Sequence, residues 1–234
     1  MTPSGLTTRQ QLALLQLSDS FFPSGSFTLS HGLESLVQLG QVQSPQDFQK
    51  YLKILLYQKV GTSDLVALRH AFAASVQSNL DELLLADESL FAQTLIQTVR
   101  EAQTKNGRAL LMVSRSIWPD PQLDWLTAQI KLHRCHGLHP VVFAVVSRAA
   151  GLGCSDSLLA FLHSFVTGLC GAAIRLGSVG HLDAQSILRD MAPDLEAVMG
   201  RAMDLTLDEM WSWSPVIDIA QMGHRYLPLR QFTN

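Results

Sequence analysis

Charge is scarce in this chain. Of its 234 residues 16% are charged, against about 25% in an ordinary soluble domain, so its own elements or a partner must cover much of the surface. Only five lysines occur (Lys50, Lys53, Lys59, Lys105 and Lys131), and the formal net charge is −3. With no basic stripe to follow a phosphate backbone, nucleic acid is not expected as a partner. Cysteine is equally thin. Cys135, Cys154 and Cys170 are odd in number and lack Cys-x-x-Cys spacing, which suits a reducing cytoplasm rather than a disulfide framework. Met1 to Gln11 has no basic stretch leading into an apolar run, so no signal peptide is expected. The longest apolar region, Leu158 to Ile174, spans 17 residues and includes His163, Ser164 and Thr167. That falls short of the ~20 residues of a bilayer span and reads as a buried helix, with no membrane partner.

Catalytic signatures are missing too. No lysine follows a glycine anywhere, so the Gly-x-x-x-x-Gly-Lys-Ser/Thr loop of a P-loop GTPase is excluded. Gly151-Leu152-Gly153 has neither a third glycine at dinucleotide-binding spacing nor a strand before it. Gly-x-Ser-x-Gly is also absent, so Ser24 and Ser26 near His31 make a weak case for a hydrolase. An enzyme is not expected.

Helical periodicity is what fills the chain instead. Ser44-Pro45-Gln46-Asp47 combines a cap, a first-turn proline and an acid at the positive end of the dipole. The helix behind it, through Phe48, Tyr51, Leu52, Leu55 and Leu56, is expected to end near Lys59, with another starting after Ser63-Asp64. Asn79 and Asp120 read as further caps, and Lys105-Asn106-Gly107-Arg108 as a break before Ala109 to Ile117. Val141 to Val146 has strand propensity, but Pro140 before it and Ser147 to Ala150 after it favour a buried helix. Ser155, Asp183 and Asp208 are read as caps of later helices. No repeat or linker divides the chain. The expectation is an all-α fold, one domain over residues 1–234 with about ten helices, ending in an extended tail from residue 215.

Between the first two helical patterns lies Phe22-Pro23-Ser24-Gly25-Ser26-Phe27-Thr28-Leu29-Ser30-His31-Gly32-Leu33-Glu34. Pro23 and Gly25 impose a turn, with a second helix expected from near Thr28. On that reading His31 and Glu34, three apart, share a helix face. They form an acid–base pair only if a cleft and a nucleophile accompany them, and a hydrogen-bonded structural role is the better reading.

Three further stretches could carry function. His133, His136 and His139, with Cys135, have ligand chemistry suited to nickel, copper or zinc. Their place before Pro140 at a helix end favours a structural role. Gly168, Gly171 and Ala172 leave a shallow face on the helix before Leu176, suited to core packing or to a dimer interface. Finally, Ile217 to Phe232 mixes large apolar residues with Arg225 and Arg230, a composition suited to docking on the chain's own body or on a partner.

The turn just described, with the Leu-x-x-Ser-Asp-Ser segment before it, resembles the N-terminal signature of the urease accessory protein UreF family. Gly107-Arg108-Ala109-Leu110-Leu111 and His139-Pro140-Val141-Val142-Phe143 resemble the same family. So do Gly168 through Ala172-Ala173-Ile174-Arg175-Leu176-Gly177, Gly180-His181-x-Asp183-Ala184-Gln185 and Ser214-Pro215-x-x-Asp218-Ile219-Ala220-x-Met222-x-His224. Each motif is built of common residues, and together they span nearly the whole chain in order. The resemblance implies a cytoplasmic, homodimeric, all-helical protein without catalysis or a permanently bound cofactor. It would join UreD (UreH in some organisms) and the nickel-carrying GTPase UreG in delivering nickel, in transit, to apo-urease.

By position, it puts the UreD contact on a tail that orders against UreD: Ile217, Asp218, Ile219, Met222, His224, Arg230 and Phe232. It puts a UreG contact on Pro23, Gly25, Phe27, Ser30, His31 and Glu34, and a dimer, which the resemblance implies, would use the small-residue face with Gly168, Gly171, Ala172 and Arg175. The chain departs from the family's Arg-His-Glu in the tail, where Gly223-His224-Arg225 stands, and Pro228 restricts a segment the family leaves free. The alternative is a nickel metallochaperone using His133, His136 and His139.

Overall fold

The computed structural model describes residues 5–19, 21–25 and 28–233. Among them are twelve α-helical segments and no strand, in agreement with the all-α expectation. In order these are α1 (Thr8–Ser18), α2 (Leu33–Gln38), α3 (Pro45–Leu55), α4 (Leu65–Gln77), α5 (Leu80–Gln93) and α6 (Gln97–Ile117). They continue with α7 (Pro121–Lys131), α8 (His139–Ala149), α9 (Cys154–Arg175), α10 (His181–Asp190), α11 (Ala192–Asp204) and α12 (Pro215–Gly223).

The starts of three helices follow directly from their side chains. Ser44, Asn79 and Asp120 accept the backbone N–H groups of Asp47, Glu82 and Gln122, occupying donors that the first helical turn leaves without partners. Elsewhere the caps differ from expectation. Gly153 and Gly180, rather than Ser155 and Asp183, precede α9 and α10. The short 3-10 turn Leu207–Glu209 is closed by a reciprocal Thr206–Glu209 capping box rather than by Asp208. The second helix begins at Leu33, not near Thr28, because His31 and Gly32 both sit at positive φ.

The core is built on α4 and α8. Leu65 to Leu68 and Ala71 have no exposed surface, nor do Val141, Val142 and Ala144 to Val146. A helix apolar on every side is stable only when it is surrounded. Here α5 and α9 pack on α4, α6 and α9 pack on α8, and α4 packs on α8 itself. At 22 residues α9 outruns the apolar stretch read from sequence and is long and apolar enough to cross a membrane. Most of it is instead buried within the fold, packed on α1, α4, α8, α10 and α11.

Two expected breaks are not there. No helix ends at Lys59, since α3 runs into α4 through a π-helical stretch, Leu56–Asp64, making one continuous rod. Nor does α6 break at Gly107. That residue is where α6 meets the loop before α8, and a Cβ there would stand 2.0 Å from the Gly137 carbonyl oxygen. Glycine serves backbone-to-backbone approach at this position, and the helix pays its propensity cost for it.

That contact makes Gly107→Ala destabilising by about 3 kcal/mol or more, since backbone has to move. Gly200→Ala on α11, with open space beyond its Cβ position, should be neutral or gain up to about 1 kcal/mol. Urea denaturation of the two variants beside the parent chain measures both, and equal losses would contradict this account of Gly107.

Candidate functional site

The C-terminal segment fastens to the body at two places. The first is the π-helical stretch. Its turn is wider than that of an α-helix, and such stretches recur at functional sites. The Gln58 carbonyl accepts from the Trp213 N–H at 2.8 Å and the Thr62 carbonyl from the Trp211 N–H at 3.1 Å. The Thr62 hydroxyl donates to the Trp211 carbonyl at 2.7 Å. Lys59 of the same stretch lies 3.6 Å from the Asp218 carboxylate of α12.

The second place is the Ser30–Glu34 turn. Gly32, at φ 89, lets α12 lie directly on it, for a Cβ there would meet the Ile217 carbonyl oxygen at 3.1 Å and the Ala220 Cβ at 3.4 Å. The Tyr51 hydroxyl donates to the His31 carbonyl at 2.9 Å, and the Gln221 amide donates to the same oxygen at 3.2 Å. Glu34 is fully buried. One of its oxygens lies 2.6 Å from His224 Nε2, and the other accepts the Gln231 N–H at 2.6 Å. Beyond them the Thr233 N–H reaches the Thr28 carbonyl at 3.0 Å, and the Arg175 guanidinium lies 4.1 Å over the Phe232 ring. The tail is thus helical through Tyr226 and already ordered against the chain's own α2, rather than extended from residue 215.

Beneath this junction lie three perturbed groups. Burial, with the charge of Lys59 and neighbouring His139, pulls His31 down to about 3. Burial alone lowers His139 to about 4. Burial raises Asp64 to about 6 despite nearby Lys59 and a 2.9 Å hydrogen bond from Gln103. His31 packs edge-on against Phe165 and does not pair with Glu34, whose partner is His224. No acid–base couple forms between His31 and Glu34.

The other expected residues divide between inside and outside. In the tail Ile217, His224 and Phe232 are buried and Asp218 is half-buried, while Ile219, Met222 and Arg230 are exposed. In the turn Ser30 and Glu34 are buried and Pro23 is exposed, and Phe27 lies outside the described residues. Gly168, Gly171 and Arg175 line a groove with Phe21 and His181, whereas Ala172 is buried in the core and does not line it.

His133, His136 and His139 diverge. His133 is exposed, His136 stacks on Phe91 and lies 2.9 Å from Glu88, and His139 packs between Phe143 and Phe161. Buried Asp87 holds their loop by accepting the N–H groups of His136, Gly137 and Leu138. It also accepts the Cys135 thiol, which burial and this carboxylate push well above its ordinary pKa. Among the described residues no group of three or more His, Cys, Asp or Glu side chains converges to hold a metal ion.

The sequence model of the UreF family matches residues 42–192. A urease accessory protein UreF of Trichodesmium erythraeum is 50% identical over 96% of this chain and 97% of its own length. Proteins of the same name from Arthrobacter sp. (strain FB24) and Bacillus sp. (strain TB-90) are 35% and 29% identical, over 95% and 94% of this chain and 96% and 97% of their own lengths. The chain belongs to the UreF family of urease accessory proteins.

In this UreF-family chain sequence reasoning missed the π-helical anchor and the reach of Glu34 to His224. Both join residues far apart in the chain, and neither leaves a local pattern.

Loss of the Glu34 carboxylate should be costly. Glu34→Ala leaves the buried His224 ring and the Gln231 N–H without their acceptor, lowering stability by about 3 kcal/mol and exposing the tail to limited proteolysis. Ile219→Ala, on the exposed side of α12, should stay within about 0.5 kcal/mol of the parent. A tail equally protected in both variants would refute the lock.

Acid should weaken the fold through the same region. His31 and His139 are held below their ordinary value of 6.5, so the stability they contribute is full above that pH and is lost as pH falls toward their folded values. Asp64 is held above its ordinary 3.8 and acts in the opposite sense. Between pH 4 and 6, unfolding protonates both imidazoles and releases one proton from Asp64. Stability should therefore fall by about 1.4 kcal/mol per unit of acidification from these three groups. Asp64→Asn removes the opposing contribution and should steepen that dependence by about the same amount. Urea unfolding across this range measures the difference, and parallel curves would refute the assignment to Asp64.

Proposed function

We propose that the chain is a non-catalytic, cytoplasmic scaffold of urease maturation that binds UreD (or UreH) through the outer face of α12. The observation that carries this reading is the two-sidedness of that helix. Its inner side is committed to Gly32 and the core, while Val216, Ile219 and Met222 face outward, followed by Tyr226 and Leu229. Ile219 is 65% exposed and Tyr226 73%. Large apolar side chains grouped on one solvent-facing surface are characteristic of protein interfaces. The relatives' shared description as urease accessory proteins supplies the process such an interface would serve.

On this reading UreG is recruited to a homodimer, and nickel is the cargo of the assembly rather than a resident cofactor. The groove lined by Gly168, Gly171 and Arg175, with Phe21 exposed beside it, is the surface assigned to the second copy. The exposed parts of the turn around Pro23 are assigned to UreG. Because His133, His136 and His139 lead away from one another, the scaffold is preferred to a metallochaperone that uses them jointly.

The test is light scattering after gel filtration of the chain with UreD, intact and as Ile219→Asp/Met222→Asp. Both substitutions lie on the exposed side, so the tail should stay docked. The intact chain should form the complex, and the variant should bind at least about tenfold more weakly. Undiminished binding would move the contact elsewhere, and no complex with the intact chain would remove the UreD assignment.

A further inference from the structure

A trough runs along the outside of α6 on residues that the scaffold reading leaves unused. Its deeper part, a groove of about 390 Å³ between α6 and α7, has Leu111, Met112 and Ile130 along its apolar lining. Met112 is 68% exposed, a large side chain left in water on a helix that otherwise packs well. Methionine at such a surface adapts its shape to a partner. Every charged or titratable side chain lining the groove (Arg108, Arg115, Lys131 and His133) is basic. Arg115 is matched by Asp124, whereas among the described residues no carboxylate pairs with Arg108 or Lys131. In a chain of net charge −3, that is a local concentration of opposite sign.

The trough continues at its other end. Arg108 is shared with an adjoining depression that brings in Phe91, Arg100 and Lys105. Arg100 lies 4.9 Å over the Phe91 ring. The one carboxylate there, Glu101, accepts a hydrogen bond from Gln97. From Arg100 to Arg115 the helix offers ~22 Å, the length of about 15 residues of a second helix laid beside it.

We propose that this trough is a docking site for an acidic amphipathic helix of a partner protein. The partner's apolar stripe would lie on Leu111, Met112 and Ile130. Glutamate or aspartate on its flanks would meet Arg108 and Lys131 on one side and Arg100 and Lys105 further along. This is the helix-in-groove mode of recognition, with apolar contact supplying affinity and the basic rim supplying register and sign. A strand is a poorer fit, because α6 presents no free backbone edge. Nucleic acid fits less well because the lining is mostly apolar. The trough shares no lining residue with α12, the tail or the groove at Gly168, so it does not depend on the UreD assignment.

The experiment uses the full chain and a fluorescein-labelled helical peptide of about 15 residues, with leucines at i, i+3, i+4 and i+7 spacing and glutamates on both flanks. Fluorescence anisotropy compares it with a scramble of the same composition and with a version carrying lysine for glutamate. The striped acidic peptide should bind at least about tenfold more tightly than either control and weaken as salt rises. Arg108→Glu/Lys131→Glu should cost about tenfold or more, as should Met112→Glu, each with an unchanged melting temperature. Either variant alone suffices should the other fail to fold. No binding, equal binding of the scramble, or variants that bind as well as the parent would overturn the proposal. So would equally tight competition by an RNA oligonucleotide, which would make the trough a general polyanion surface. A change in the chain's own oligomeric state in these variants would assign the trough to a second copy and overturn it as well.

Discussion

A carboxylate with no exposed surface is tolerated only where donors fill its oxygens. For Glu34 those donors come from the far end of the chain, His224 and the Gln231 N–H. The N-terminal turn is therefore incomplete until the C-terminal segment has returned to it. Tyr51 and Gln221 converge on the His31 carbonyl and bind the same junction from α3 and from α12. The first helices, the central rod and the tail thus close around one buried acid, and disturbing any of the three disturbs the others.

The rod contributes through an irregularity. Within the π-helical stretch the carbonyls of Gln58 and Thr62 accept from Trp213 and Trp211, so a helix surface serves as acceptor for another segment's backbone. Those two bonds and Lys59 beside Asp218 set where α12 begins. Gly32 and Glu34 then set how it lies. At nine residues α12 is too short to hold its helix alone, so these contacts make it a helix as well as place it.

The sequence reading succeeded where the governing interaction was local. Ser44, Asn79 and Asp120 cap helices through N–H groups two or three residues away, and the apolar run after Pro140 was recognisable as a buried helix. It failed where the partner was distant. Glycine weakens an isolated helix, so Gly107 looks locally like a breaker, whereas in the fold it faces the Gly137 carbonyl, 30 positions on. A shared helix face for His31 and Glu34 requires a helix through His31, but the positive φ of His31 and Gly32 delays the helix to Leu33 and leaves Glu34 to His224. Close spacing likewise suggested a joint site for His133, His136 and His139. The positive φ of His133 and Gly137 and the capture of the loop by Asp87 send the three rings to different surroundings.

The two sides of α12 are energetically linked. Its inner contacts order the helix before any partner arrives, so the conformational entropy of forming the outer apolar face is lost in folding and not again in binding. Linkage also works in reverse, because a partner that binds the outer face only while α12 is docked stabilises the docked state by its own binding free energy. Glu34 and His224, buried behind the helix, therefore bear on the affinity of any partner held on its opposite side. For a partner held on that outer face, the coupling reaches back through the tail to the buried acid of the N-terminal turn.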